Sequence, residues 1–289
     1  MMWFLMLFNG LLASIGTILV TGILGYNNEY IEPISFLTGA GISFLIAKIM
    51  VSKGGDKILG FIAPARKMSQ REQERVKHIL ARVQEQANAK EGWEIKNIRL
   101  YTMDSPLLNA FAMGRDILGL TSGALEHLDD DELAGLIAHE IGHFYYRDSE
   151  RQAVNFGLLC FAEAMLWVNG LVLALRHLLT PNKNGHSSAG IMGLFIMPLI
   201  LLAIMFRFLG SIGIWVYNFT YPLLNHKQEY RADMFACKAG FGAGLGSVLS
   251  KIMSYEEPPK GLTAKLTQTH PNTGDRIAKI DDYLHTNAA

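Results

Sequence analysis

His139, Glu140 and His143 are the residues of this chain whose types and spacing point most directly to chemistry. They end the run DDDELAGLIAHEIGH, residues 129–143, which predicts one helix. Asp129 is suited to cap its N-terminus, and Glu132, three residues on, completes a capping box. Four positions apart on a helix, His139 and His143 share a face with their Cβ atoms about 5–6 Å apart. Two neutral imidazoles so placed can both reach a tetrahedral zinc ion at about 2.0–2.1 Å. Glu140 then stands beside the metal rather than on it, where its carboxylate can serve as general base toward a water acidified by zinc. Taken alone, these residues also fit a helix with two part-buried histidines hydrogen-bonded to neighbours. A third protein ligand separates the two readings, because catalytic zinc takes three and keeps a fourth position open.

Glu229 and Asp233 supply a candidate. They lie one turn apart on a predicted helix from Glu229 to Ala239. One carboxylate can bind the metal while the other hydrogen-bonds a ligand histidine and fixes its tautomer. Alone the pair reads as a solvated acidic face; beside His139 and His143 the metal reading is favoured.

The elements that must position these groups are unusually apolar. Of 289 residues, 50% are hydrophobic and 18% charged, and the 26 basic and 26 acidic residues cancel, so no bulk charge points to nucleic acid. Cys160 and Cys237 are neither a disulfide framework nor a Cys-x-x-Cys pair, and read as reduced thiols. Four apolar runs stand out: Trp3 to Leu24, Ile34 to Ile49, Phe156 to Leu175, and Ala189 to Leu224, the last interrupted by Pro198, Arg207 and Pro222. Runs of about 20 residues suit membrane spans. They predict a transmembrane hairpin over residues 1–51, a catalytic segment over 52–153, a second hairpin over 154–224 and a closing segment over 225–289. Lys48, Lys53, Lys57, Arg66 and Lys67 crowd the far side of the second run, whereas the loop from Tyr26 to Pro33 has no basic residue. The basic side is expected to face the cytoplasm, and with it both termini and the catalytic segment.

Within the polar segments, Ser69 and Glu72 form a second capping box opening a helix to about Ala87. Strand-like runs follow at Ile98 to Met103, Ala110 to Met113 and Ile117 to Thr121. Gly240 to Gly246 is glycine-rich and, with Pro258 to Thr263, reads by composition as an exposed connection. A further helix is expected from there to about Glu256, and a last one near Asp275 to Leu284.

The order of these motifs resembles the HtpX-type membrane zinc metallopeptidases, relatives of the CAAX prenyl endopeptidases. The resemblance rests on Asn109–Ala110–Phe111–Ala112 ahead of a glycine, on His139–Glu140–Ile141–Gly142–His143, on Glu229 with Asp233, and on Thr269–His270–Pro271 ahead of Arg276. It implies a mainly α integral membrane protein with about four transmembrane helices and a cytoplasmic gluzincin-like protease domain holding a small sheet. It also implies one zinc per chain on His139, His143 and Glu229, Glu140 as base, Asp233 behind a ligand histidine, and His270 near the reaction. Asn109 to Ala112 would be an edge strand that grips extended polypeptide substrates through backbone bonds. Where relatives carry arginines just before the glutamate ligand, this chain has Asn225–His226–Lys227–Gln228. The implied role is quality control of misfolded or membrane proteins, a stress response, in a bacterial inner membrane. Rival readings are a processing peptidase for one lipidated substrate, a catalytically silent scaffold or holdase, and an ion transporter built around Glu163 and Arg207.

Overall fold

The computed structural model describes residues 2–24, 30–62, 65–92, 97–179, 211, 214–215, 225–255 and 271–287. The chain divides into two compact units, one made of Met1–Ile49 and Val154–Asn218, the other of Met50–Ala153 and Phe219–Ala289.

The first unit contains helices α1 (Met2–Leu24) and α2 (Ile31–Met50) and most of α7 (Asp148–Leu179). Its helices meet through small residues and amides. A Cβ on Gly39 would lie 2.5 Å from the Ala13 methyl, so α1 and α2 approach almost backbone to backbone. Buried Asn9 and Asn169 donate side-chain hydrogen bonds to the carbonyls of Leu158 and Leu12, at 3.2 and 3.1 Å, tying α1 to α7. Leu7, Leu37, Leu45 and Trp167 point outward and are exposed. Among the described residues, Ile31–Met50 and Asp148–Gly170 are long and apolar enough to cross a membrane. The expected fourth span lies almost wholly outside the described residues.

The second unit carries the polar chemistry. After α2 comes a helix that composition did not suggest, α3 (Lys53–Ile62), and then β1 (Arg66–Lys67). Helix α4 (Gln70–Glu91) begins with the Ser69–Glu72 capping box and stops at Gly92, whose φ of 65° is the left-handed conformation that a glycine adopts without strain. Val76, Ile79, Leu80, Val83 and Ala87 form its buried stripe. Strands β2 (Arg99–Met103), β3 (Ala110–Met113) and β4 (Ile117–Thr121) complete a sheet of order β1-β2-β4-β3. β4 pairs in parallel with β2 and antiparallel with β3, and all five of its residues are buried, as a central strand requires. A short helix α5 (Ser122–His127) follows, and Arg75 of α4 donates to the terminal Leu125 and Leu128 carbonyls at 2.6 and 2.8 Å.

Helix α6 (Asp130–Tyr145) is the centre of the unit, buried on every side from Glu132 to Phe144. Asp129 caps it and Glu132 closes the box as predicted. Glu132 does more: its carboxylate also accepts from Ser247 Oγ at 2.7 Å and Lys251 Nζ at 2.6 Å. Burial pushes this carboxyl up, but Lys251, Ser247 and the Asp129 N–H outweigh it and hold it below the usual range. Its partners belong to α9 (Gly242–Tyr255), which follows a helix α8 over residues 225–239; α10 (Thr273–Asn287) ends the fold.

The expectation that Gly240 to Gly246 is an exposed connection is wrong. Helix α9 starts at Gly242, and the glycines serve close packing. A Cβ at Gly244 would sit 2.2 Å from the Asp131 carbonyl oxygen, and one at Gly135 2.2 Å from the Leu245 nitrogen. The glycines on both sides remove the Cβ atoms that would otherwise keep α6 and α9 apart. Pro258 to Thr263 lies outside the described residues.

Candidate active site

Helix α6 offers His139 and His143 one turn apart, with rings perpendicular and centroids 4.8 Å apart. Helix α8 crosses it closely because position 142 is glycine: a Cβ there would lie 2.9 Å from Ala232 Cα. This approach brings Glu229 opposite both histidines. Its Oε2 lies 3.6 Å from His139 Nε2 and its Oε1 3.5 Å from His143 Nε2. These gaps are long for hydrogen bonds. They match the donor–donor spacing of about 3.4 Å that tetrahedral geometry gives for bonds of about 2.1 Å to one zinc. His139, His143 and Glu229 are all buried, and one ligand atom from each falls within 4.8 Å of the others.

The opposite ring nitrogens are backed by aspartates. His139 Nδ1 meets Asp233 Oδ1 at 2.8 Å. Arg276 of α10 then grips Asp233 with two bonds, Nη2 to Oδ1 at 2.6 Å and Nε to Oδ2 at 2.8 Å. It also lies 3.4 Å from Glu229 Oε2 through Nη1. Asp233 is fully buried, which raises its carboxyl pKa, but Arg276 and His139 override burial and keep it below the ordinary value. His143 Nδ1 faces Asp148 Oδ2 at 3.6 Å, and Asp148 is bound by Arg231 at 2.7 Å and Arg151 at 3.1 Å. Burial disfavours a charged His143, yet Asp148, Glu229 and Glu140 raise its pKa to about 10. The same carboxylates make the space before its Nε2 attractive to a cation. Glu140 is buried at the site. Two imidazoles, an opposed carboxylate and a surplus of negative charge fit a zinc site, with Glu140 available beside it.

The residues expected to receive substrate fall at and just before β3. β3 pairs only with β4 among the described residues, so it is a sheet edge, and it packs against α6. Asn109 precedes the strand and is fastened to Thr121, whose N–H donates to the Asn109 carbonyl at 3.0 Å. Phe111 folds across its cross-strand partner Gly119, where a Cβ would collide with the ring. His270 lies outside the described residues, although Pro271 after it is buried.

The sequence profile of Peptidase family M48 matches residues 70–284, a stretch containing every group just described. The chain belongs to that family. It is 29% identical over 205 residues to a protein named Protease HtpX homolog from Tropheryma whipplei (strain Twist), covering 63% of this chain and 65% of that protein. A protein of the same name from Dictyoglomus turgidum is 30% identical over 194 residues, covering 63% and 58%. The match therefore spans less than two thirds of those relatives' length. Among solved structures, the crystal structure of S. mikatae Ste24p superposes with a TM-score of 0.52 at 16% identity, over 82% of this chain and 56% of that one. At that identity the likeness speaks for a shared fold. The HtpX-type resemblance read from the motifs is thus shown.

Sequence reasoning left Asp148, Arg231 and the role of Arg276 unassigned. Asp148 follows His143 by five residues and is fully buried at the start of α7. Arg276 was marked only by its place after His270–Pro271, and nothing local in the sequence shows that it reaches residue 233.

Proposed function

We propose that this chain is a zinc-dependent endopeptidase of the membrane, in which His139, His143 and Glu229 hold one zinc ion. The buried convergence of both Nε2 atoms on the two oxygens of Glu229 carries this reading. When bound, zinc supplies Lewis acidity toward the scissile carbonyl and lowers the pKa of water to near neutral. Glu140 accepts the proton of the attacking water and hands it to the leaving amine, then is ready for another cycle. Asp233 holds the His139 imidazole with Nδ1 protonated and Nε2 free to ligate. The open edge of β3 offers backbone donors and acceptors to an extended peptide, a grip indifferent to most side chains.

That indifference suits unfolded or misfolded membrane proteins as substrates. Four spans, two before and two after the catalytic segment, in a bacterial inner membrane with the site on the cytoplasmic side, fit the apolar runs and the basic residues after α2. Purified protein should cleave an unfolded protein only with zinc, and Glu140→Gln should cleave it about 10²–10⁴-fold more slowly. Cleavage of a prenylated peptide with no cutting of unfolded protein would replace this reading by a dedicated processing role. Bound zinc with no cleavage of either would favour the silent scaffold. For topology, a cysteine at position 28 should label from outside intact cells and one at position 85 should not; the reverse pattern would move the site to the other face.

A further inference from the structure

Helix α3 has one buried and one exposed face among the described residues. Only Val51 and Ser52 separate it from α2. Ser52 starts it, accepting from the Gly54 N–H at 3.1 Å through Oγ and from the Asp56 N–H at 3.1 Å through its carbonyl. At about 100° per residue, Gly55, Asp56 and Leu59 share one side, and all three are buried. Lys53, Lys57, Phe61 and Ile58 follow one another around the other side, and all four are exposed, Phe61 to 91%. An aromatic ring that exposed, with Ile58 on one side and two lysines on the other, is the pattern of a helix lying along a membrane surface.

The inner face fixes α3 to the strand that would receive substrate. Asp56, only 2% exposed, accepts from the Arg115 backbone N–H at 3.4 Å and its guanidinium at 3.3 Å, with Arg99 at 3.7 Å. Arg115 sits in the turn joining β3 to β4. Gly114 beside it has a φ of +61°, and a Cβ there would crowd Asp56 Oδ1 to 2.5 Å. The buried aspartate thus clamps α3 to the end of the edge strand.

We infer that the Lys53–Lys57–Phe61–Ile58 face of α3 docks on an anionic phospholipid surface, with Phe61 and Ile58 among the upper acyl chains and the lysines at the headgroups. The occupant follows from charge and chain continuity: two exposed lysines border the apolar stripe along one side, and the helix leaves directly from a membrane-length segment. Through Asp56 and Arg115, this docking holds the open edge of β3 next to the bilayer, so that polypeptide emerging from the membrane meets the strand first. The inference rests on the reading of α2 as a span.

The test is spin-label depth measurement on full-length protein, with Cys160 and Cys237 replaced by alanine, in vesicles of equal phosphatidylcholine and phosphatidylglycerol. Labels go at positions 58 and 61, with Leu45 of α2 as a membrane control and Glu85 of α4 as an aqueous one. At 58 and 61, collisions with oxygen should rise and collisions with a polar nickel reagent should fall severalfold relative to 85. Lys53→Glu with Lys57→Glu should return 61 toward water in the anionic vesicles and not in pure phosphatidylcholine. A lipid-exposed label at 45 with an aqueous label at 61 overturns the docking of α3 and leaves the membrane reading standing. An aqueous label at 45 overturns the membrane reading itself. Protection of 61 from both reagents means that protein covers the face, which also overturns the proposal.

Discussion

The two histidines of the site are supported in different ways. Behind His139, Asp233 sits at 2.8 Å and is itself held by two Arg276 bonds, so α6, α8 and α10 interlock in a region closed to water. Behind His143, Asp148 stands off at 3.6 Å, and the Nδ1 of that ring has no hydrogen-bond partner among the described residues. The arginines holding Asp148 are half open to solvent, with side-chain exposures of 38% for Arg231 and 57% for Arg151. A buried, doubly hydrogen-bonded carboxylate fixes its histidine before any metal arrives; a more distant one, buried but held by part-exposed arginines, leaves the ring room to adjust. One half of the site is therefore preorganised and the other is free to conform.

The largest effects should come from groups that serve both halves. Glu229→Ala removes the carboxylate facing both Nε2 atoms and should abolish zinc binding and proteolysis together. Glu140→Gln should retain zinc and lose about 10²–10⁴-fold in turnover, the usual weight of a general base. Metal analysis beside a turnover assay separates the two, and normal zinc content in Glu229→Ala would remove it from the ligand set.

Stability should then tell the halves apart. Arg276→Gln leaves Asp233 buried and uncompensated, a loss of about 3–5 kcal/mol. Arg231→Gln breaks a part-exposed pair and a stack on Tyr146, with the guanidinium carbon 4.1 Å from the ring centroid. Its cost should be about 1 kcal/mol, since Arg151 still pairs with the buried Asp148 and solvent screens the part-exposed guanidinium. Thermal melts of the two proteins would show it, and equal losses would erase the distinction.

Smaller again is the difference in metal affinity between Asp233→Asn and Asp148→Asn. Changing the hydrogen-bonded partner of a ligand histidine costs about 10–100-fold. Asp233→Asn should fall in that range and Asp148→Asn below it, measured by chelator competition. A larger loss for Asp148→Asn would mean that zinc draws His143 and Asp148 into contact.

These contrasts bear on how far the sequence could be read. Local rules placed β3 and β4 to the residue, because short apolar runs bounded by turns leave little choice, and both capping boxes formed where Ser69–Glu72 and Asp129–Glu132 put them. Part of the ligand set was legible: a four-residue spacing on each of two helices puts His139 with His143 and Glu229 with Asp233 on one face, while the choice of Glu229 over Asp233 came only from the family resemblance. The supports of the set were not: Arg276 reaches Asp233 across 43 residues and Arg231 reaches Asp148 across 83, pairings that exist only once three helices have packed. Helix α3 was hidden by its two early glycines, which lower helix propensity; Arg115, outside the helix, stabilises it by gripping the buried Asp56. Gly240 to Gly246 misled in the opposite direction. Glycine serves flexibility in isolation and close packing in context, and here Gly135 on the facing helix decides for packing.

The smallest effect belongs to the surface, where the same chemistry as the Asp233–Arg276 pair occurs in water. Glu72 accepts from the Ser69 N–H at 2.7 Å and from two Arg66 nitrogens at 2.8 Å each. The Arg66 bonds, working against partial burial, lower the Glu72 carboxyl from 4.5 to about 2. A carboxyl with a depressed folded pKa adds stability that is complete above its unfolded value and is lost as pH falls through the folded one. The gap in melting temperature between wild type and Glu72→Gln should therefore be steady above about pH 5 and close between 4.5 and 2. Salt should narrow it at neutral pH, because the Arg66 side chain is 43% exposed. The contribution of Asp233 should be insensitive to salt, since both it and Arg276 are buried. If salt weakened the two equally, the buried half of the site would have to be reached by water, and the contrast between a closed support and an open one would fail.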